Sequence, residues 1–454
     1  MRIDQEIIKE GVFWLEGQED ADLQGVITIK ENEPIILQLN GSFNIKGSVF
    51  GRPHVGRVLG RIEKYGFVTL DGCFYIRQSF DYNSYDKSTL HVNSAYLGIA
   101  MKGNDDLQLN SLTFSCDSLD SWVGITGIKF DHVPKDGYYN LSYKKPDDIS
   151  IEIGEGLSLS ICFGASLPGV PIITEAGFKS RAYIRISSID KSGFEELDKI
   201  AHKIVAFLSI AVGKQLVISD VVGSINGESS KVSVYYQSNK YTIANDLKNK
   251  DMIFKFSFVK GRFEEFIKNW LSFYDIALPA ISLYFSSINK QHGLIEGRFI
   301  SLVQGLETYH RTISTEKVMT EDEFAKLTKE ILDSCPKEHR SWLEGRVRTG
   351  NEISLVKRIK RMIEPFKDYI GTSALVGKLS NKITTTRNYL THYNSTYEAQ
   401  SAKGLELYKL IMFMECLFML HFLKAMGMTD DDISAIMKIN FSPLKDNLDY
   451  SIDR

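Results

Sequence analysis

The 454-residue sequence predicts an α+β protein, strand-rich at the start and all-helical at the end. Three observations carry this. Short β-branched or alternating apolar runs, punctuated by glycine, fill the first 180 or so residues. Apolar positions recur at helical spacing after about residue 290. The segment Tyr408–Ala425 is apolar nearly all round, as a central buried helix should be.

Taking the chain in order, Val26–Lys30 and Ile35–Leu39 read as strands separated by Glu-Asn-Glu-Pro. Phe67–Leu70, Cys73–Ile76 and Ser158–Phe163 continue the pattern, which points to a sandwich-like or barrel-like sheet. A helix follows near residues 192–213, with Ser192 and Glu195 in capping-box positions and Gly213 to close it. Gln215–Val222 and Val232–Tyr236 return to strand character, and polar Asn245–Lys250 reads as a surface connection. Arg262–Tyr274 is helical, with Phe263, Phe266, Trp270 and Phe273 on one side; Pro279 then predicts a bend or a junction. Beyond it, stripes led by Ile295, Phe324, Leu355 and Leu375 mark four helices before Tyr408–Ala425. The expected organisation is a β-rich region over residues 1–250, a helical junction over 251–290, a helical bundle over 291–428 and a polar tail over 429–454.

The hydrophobic fraction of 43% and charged fraction of 24% are those of a chain with real cores. The formal net charge of -3 means that nucleic-acid binding would need a local basic patch. Five scattered cysteines (73, 116, 162, 335, 416) form no Cys-x-x-Cys pair, which favours a reducing compartment and argues against a zinc site. No apolar signal core follows Met1, and Glu415 and His421 interrupt the most apolar run, so the expectation is a cytoplasmic protein without a membrane span.

The chemistry concentrates at Arg387-Asn388-Tyr389-Leu390-Thr391-His392. A guanidinium keeps its charge and grips phosphate through paired N–H bonds; an imidazole exchanges protons near neutral pH. Together they suit RNA cleavage. With 17 Arg and 9 His, one such spacing is expected about 0.3 times by chance, so a surface Arg and a helix-end His remain the plain alternative. Residues five apart on a helix point about 140° away from each other. Either His392 sits in a last turn loosened at Asn394-Ser395, or two subunits contribute to one site.

Arg387-Asn388-x-x-x-His392 matches the R-N-x-x-x-H signature of the HEPN (higher eukaryotes and prokaryotes nucleotide-binding) ribonucleases. Phe299–Arg311 looks like the first long helix of the ApeA-type HEPN domain. Gly11-Val-Phe-Trp14, Gly66–Cys73 and Leu119-Asp-Ser-Trp122 resemble ApeA N-terminal segments, so the likeness spans roughly residues 10–425. The resemblance implies a homodimeric anti-phage abortive-infection toxin with a C-terminal all-α HEPN bundle. It would cleave RNA, with tRNA as the expected substrate, without metal or cofactor, leaving a 2′,3′-cyclic phosphate. His392 would be the general acid or base, Arg387 would hold the phosphate, and Asn388 would orient one of them or bind the phosphate. Such domains often add an early acidic residue; Glu307 is the candidate, an i,i+4 pair with Arg311 its alternative. Seven basic residues against two acidic ones between Arg340 and Arg361 could dock RNA or simply be solvated. Lys357, Arg358 and Arg361, expected off the apolar stripe, are the substrate-binding candidates together with Arg311. His310, on an apolar stripe, reads as core.

A phage protein is the expected trigger at the N-terminal region, with a restraint near residues 255–290. Two rivals stand beside this reading. One is a HEPN bundle that binds RNA or nucleotide without cutting. The other is a β-sandwich that binds a ligand, for example a carbohydrate, with a helical dimerisation domain. No P-loop, nucleophile elbow, H-E-x-x-H or paired-carboxylate signature supports another enzyme class.

Overall fold

The computed structural model describes residues 2–3, 5–43, 54–79, 86–103, 105–133, 137–169, 177–226, 230–237, 252–289, 293–439 and 442–453. Asn245–Lys250 lies outside them. Backbone contacts divide the chain into two compact units, Met1–Leu271 and Ser272–Arg454.

The strands of the first unit are β1 (Ile7–Trp14), β2 (Leu23–Ile29), β3 (Ile35–Asn40), β4 (His54–Ile62), β5 (Gly66–Ser79), β6 (Lys87–Val92), β7 (Ser94–Leu97), β8 (Gln108–Cys116), β9 (Ile128–Val133), β10 (Tyr138–Tyr143), β11 (Ile149–Gly154), β12 (Leu157–Ser166), β13 (Lys179–Gly193), β14 (Ile218–Ser224) and β15 (Lys231–Tyr236). Its helices are α1 (Leu119–Val123), α2 (Phe194–Val212) and α3 (Phe256–Val259); α4 (Phe263–Ile288) begins here.

Thirteen strands form one sheet in the order β11-β12-β13-β8-β14-β15-β7-β5-β4-β1-β2-β3-β6, and β6 also pairs with β5. That last pairing closes β5, β4, β1, β2, β3 and β6 into a barrel, filled by Phe13, Ile27, Leu37, Val58, Val68 and Leu90 among others. The remaining strands run on from β5 as an open sheet. The two strands expected at Phe67–Leu70 and Cys73–Ile76 are therefore one. The first half of β5 pairs with β7 and the second half with β6. Gly72, between them, has φ +63°, and a Cβ there would lie 2.4 Å from Asn93 Nδ2. The length of β5 is what makes this sheet a barrel with an open extension instead of a two-sheet sandwich.

The helix α2 lies on β8, β13 and β14 and buries Leu197, Ile204, Phe207 and Leu208. The expected capping box is absent. Gly193 is the N-cap without a side-chain bond, because Ser192 still belongs to β13 and donates to Ser188 Oγ (3.0 Å). Gly213 closes the helix at φ +76°, as expected. Trp122 of α1 is buried against Phe207, Phe256 and Phe263. Pro279 sits inside α4, which stays one helix through it. The stretch Phe256–Ile288 is long and apolar enough by composition to cross a membrane; Phe266, Ile267, Trp270, Ala280, Ile281 and Tyr284 along it are buried.

The second unit holds α5 (Ile295–Ile313), α6 (Glu321–Asp333), α7 (Arg340–Val347), α8 (Leu355–Ile363), α9 (Lys367–Ile370), α10 (Ser373–His392), α11 (Ser395–Glu398), α12 (Gly404–Ala425), α13 (Asp430–Lys438) and α14 (Pro443–Ser451). The central helix is α12, as its composition predicts. Phe413, Met414, Leu417, Phe418 and Phe422 on it are fully buried, and it packs on α5 and α14. The polar groups that interrupt its apolar run have partners: Glu415 pairs with Arg298 (2.9 Å), and His421 Nε2 meets the Met362 carbonyl (2.9 Å). The segment expected as a polar tail forms α13 and α14. A Thr429–Asp432 capping box starts α13, and Ile433, Ile436, Leu444 and Leu448 are buried.

Candidate active site

The helix that carries the motif, α10, starts at Thr372, whose side chain accepts from the Leu375 amide (3.3 Å). Val376, Leu379, Ser380, Ile383, Thr384 and Thr386 are buried along it and fix its rotation, and it packs on α5 and α8. Arg387 and Asn388 emerge half-buried in its penultimate turn, and His392 is its exposed last residue. Arg387 Nη1 donates to Asn388 Oδ1 (3.2 Å), so the amide orients the guanidinium. Thr391 Oγ1 donates to the Arg387 carbonyl (2.8 Å).

The helix ends with the motif, and the next residue caps it. Tyr393 has φ +48° and ψ 35°, and its amide donates to the Tyr389 carbonyl (2.6 Å). His392 is therefore still helical. The loosening expected at Asn394-Ser395 begins too late to swing it toward Arg387, and within one chain the two side chains leave the helix in different directions.

Residues around the motif complete its surface. Tyr389 and Tyr393 meet edge-on at 5.7 Å between ring centroids, and Tyr393 is 73% exposed. Lys403 lies over the Tyr389 ring (5.4 Å) and pairs with Glu398 (2.9 Å), holding that carboxyl below its usual range. Thr386 Oγ1 accepts from the Ala402 amide (2.9 Å), which pins the returning chain against α10. These tyrosines were not singled out in the sequence, although a pair four residues apart overlapping the motif was a readable signal.

The remaining candidates gather elsewhere. Glu307 pairs with Arg311 (3.1 Å), the i,i+4 alternative. Arg311 also reaches Glu352 (2.8 Å), which in turn holds Lys317 and Arg358. Among the described residues no hydrogen bond or ion pair joins this cluster to Arg387 or His392. The expectation that Arg358 lies off the apolar stripe is corrected: it is 2% exposed, with Glu352 and His310 Nδ1 (3.2 Å) as partners. A guanidinium so enclosed has no open face for an RNA phosphate. His310 is core, and burial together with the Arg358 charge lowers its pKa.

Lys357 and Arg361 are solvent-facing, but both pair with Glu316 (2.9 and 3.0 Å), whose carboxyl they hold down to about 2. Arg340 pairs with Asp333 (3.0 Å) and Arg346 lies over the Trp342 ring (5.9 Å). The basic run is thus largely charge-compensated within its own unit. Among the described residues no group of three His, Cys, Asp or Glu side chains is placed to hold a metal ion.

A helical unit with Arg-Asn-x-x-x-His at the end of one of its long helices is the architecture of a HEPN domain, and the Apea-like HEPN family model matches residues 300–432. The model of ApeA N-terminal domain 1 matches residues 9–270, more than half of the sequence, and the chain belongs to the ApeA family. No curated protein and no solved structure matches it.

Proposed function

We propose that this protein is an anti-phage HEPN endoribonuclease that cuts RNA, tRNA foremost, in the cytoplasm of infected cells and without a metal ion. The observation that carries this reading is the Arg387–Asn388 pair and the exposed His392 at the end of α10, inside the segment that matches the HEPN family.

The chemistry follows from the residue types. The ribose 2′-oxygen attacks the neighbouring phosphorus and the bond from phosphorus to the 5′-oxygen breaks. The 2′-hydroxyl proton leaves to a base, and the departing 5′-oxygen takes a proton from an acid. The products are a 2′,3′-cyclic phosphate and a 5′-hydroxyl. His392 exchanges one of these protons. Arg387, oriented by Asn388, binds the non-bridging oxygens as charge builds on them. Because Arg387 and His392 diverge on one regular helix, the reading places two copies of the HEPN domain face to face, each motif completed by the other.

The test is cleavage of total tRNA in EDTA, with and without lysate from phage-infected cells, with product ends mapped. Wild type should leave cyclic phosphate ends, and His392→Ala should lose at least about a hundredfold in rate. Equal cleavage by both proteins would place the chemistry elsewhere. No cleavage under any condition would leave a binding module.

A further inference from the structure

The first unit carries a second charged surface, remote in sequence from the HEPN motif. On β13 the side chains alternate. Ala182, Ile184 and Ile186 are buried, while Arg181, Tyr183 and Arg185 stand on the other face. The cross-strand register carries that face over the sheet: Arg185 lies opposite Thr113, Thr113 opposite Val222, and Val222 opposite Ser233. The helix α2 packs on the other face, and Arg181, Tyr183, Arg185, Thr113, Val222 and Ser233 on this one are half-buried.

Two hollows lie on it, of about 790 and 840 Å³, and they share Tyr183 and Val222. The first is lined by Lys145, Arg185 and Lys231 against the single carboxylate Asp148, with Ser and Thr hydroxyls between them. The second forms where the open sheet curls toward the barrel. It presents Arg2, Lys9, Lys64, Lys179 and Arg181 against Glu6 and Asp220, and Tyr65 and Tyr235 line it. Eight cations and three carboxylates line the two hollows on a chain whose formal net charge is -3; Arg2, Lys9, Lys145 and Arg181 pair with Asp117, Glu63, Asp148 and Asp220. Asp220 sits at a bulge of β14 with φ +51° and pairs with Arg181 (3.3 Å), so the sheet's register is interrupted where it holds this arginine.

We propose that this face binds a single-stranded nucleic acid, its phosphates tracking the cations of both hollows and a base stacking on Tyr183 between them. An extended polyanion fits two joined hollows better than a compact one. A sheet that alternates aromatic and basic side chains is how single strands are bound through their backbone and base faces. The inference does not depend on cleavage at α10.

The experiment uses full-length His392→Ala protein in EDTA and a fluorescein-labelled oligouridylate of about ten nucleotides, read by anisotropy over a salt series. Tyr183→Ala should weaken binding about 5- to 100-fold, and Tyr183→Phe should restore it. The exposed charge reversals Lys179→Glu and Lys231→Glu should each weaken binding about tenfold and flatten the salt dependence. Melting curves of every variant confirm that it folds. Affinity unchanged within about twofold in Tyr183→Ala and both lysine reversals would overturn the proposal. If wild type fails to cleave RNA while these shifts appear, the sheet assignment stands and the nuclease reading falls.

Discussion

Arg358 and His421 show how burial decides what a charged or titratable side chain can do. Arg358 is enclosed with Glu352 as its carboxylate partner, so removing that partner strands a charge away from water. Glu352→Gln should cost about 2–3 kcal/mol in urea unfolding, whereas Arg358→Met, which removes the buried charge itself, should cost less than half of that. Equal losses would show that the pair is not the source of the effect. His421 is held neutral, its pKa lowered to about 4 by burial, with His310 adding to the shift. Above about pH 6.5 both folded and unfolded chains carry it neutral and its contribution is complete. As pH falls, the unfolded chain takes up a proton first, so stability should drop by about 2 kcal/mol by pH 5 and continue to fall toward pH 4. His421→Gln, which can still donate to the Met362 carbonyl, should show a shallower decline between pH 7.5 and 5; identical slopes would refute the assignment.

The crossing of α5 and α12 explains a glycine that helical spacing alone leaves unaccounted for. A Cβ on Gly305 would lie 2.9 Å from Phe418 Cζ and 3.4 Å from Leu283 Cβ. Gly305→Ala gains helix propensity on α5 yet should destabilise the bundle by about 1–3 kcal/mol, because two packed helices must move apart. A rise in Tm would show that the Phe418 ring swings aside. At α10 the same logic protects the motif: the buried row Val376–Thr386 sets which way Arg387 points, and the Thr386–Ala402 bond holds the chain that follows. Thr386→Val keeps the shape and removes that acceptor, leaving the Ala402 amide unpaired. It should lower RNA cleavage several-fold with little change in far-UV circular dichroism.

Taken over the full chain, the regular helix through His392 makes subunit complementation the informative measurement. Mixed Arg387→Ala and His392→Ala proteins should recover about a quarter or more of wild-type cleavage if each site draws on both copies, since a mixed pair then retains one intact set. No recovery, in a mixture shown by native mass spectrometry to contain mixed dimers, would return the site to a single chain.

The sequence by itself determined the division into a strand-rich and a helical part, the burial of α12 and the place of the motif. Each rests on local periodicity or on residue chemistry, which neighbouring positions report directly. Tertiary structure alone decided the rest. Closure of the barrel depends on β5 pairing with β6 and β7 along its two halves, a long-range choice invisible in either half. The helices after residue 429 were hidden by a polar composition in which, among the described apolar residues, only Ile433, Ile436, Met437, Leu444 and Leu448 are buried to hold them. The partners of the basic run, Glu316, Asp333 and Glu352, lie across turns or on other segments. Charge counted along the chain therefore overstated what reaches solvent, and the face around Tyr183 stayed unseen because its cations come from separate strands and loops that only the folded sheet brings side by side.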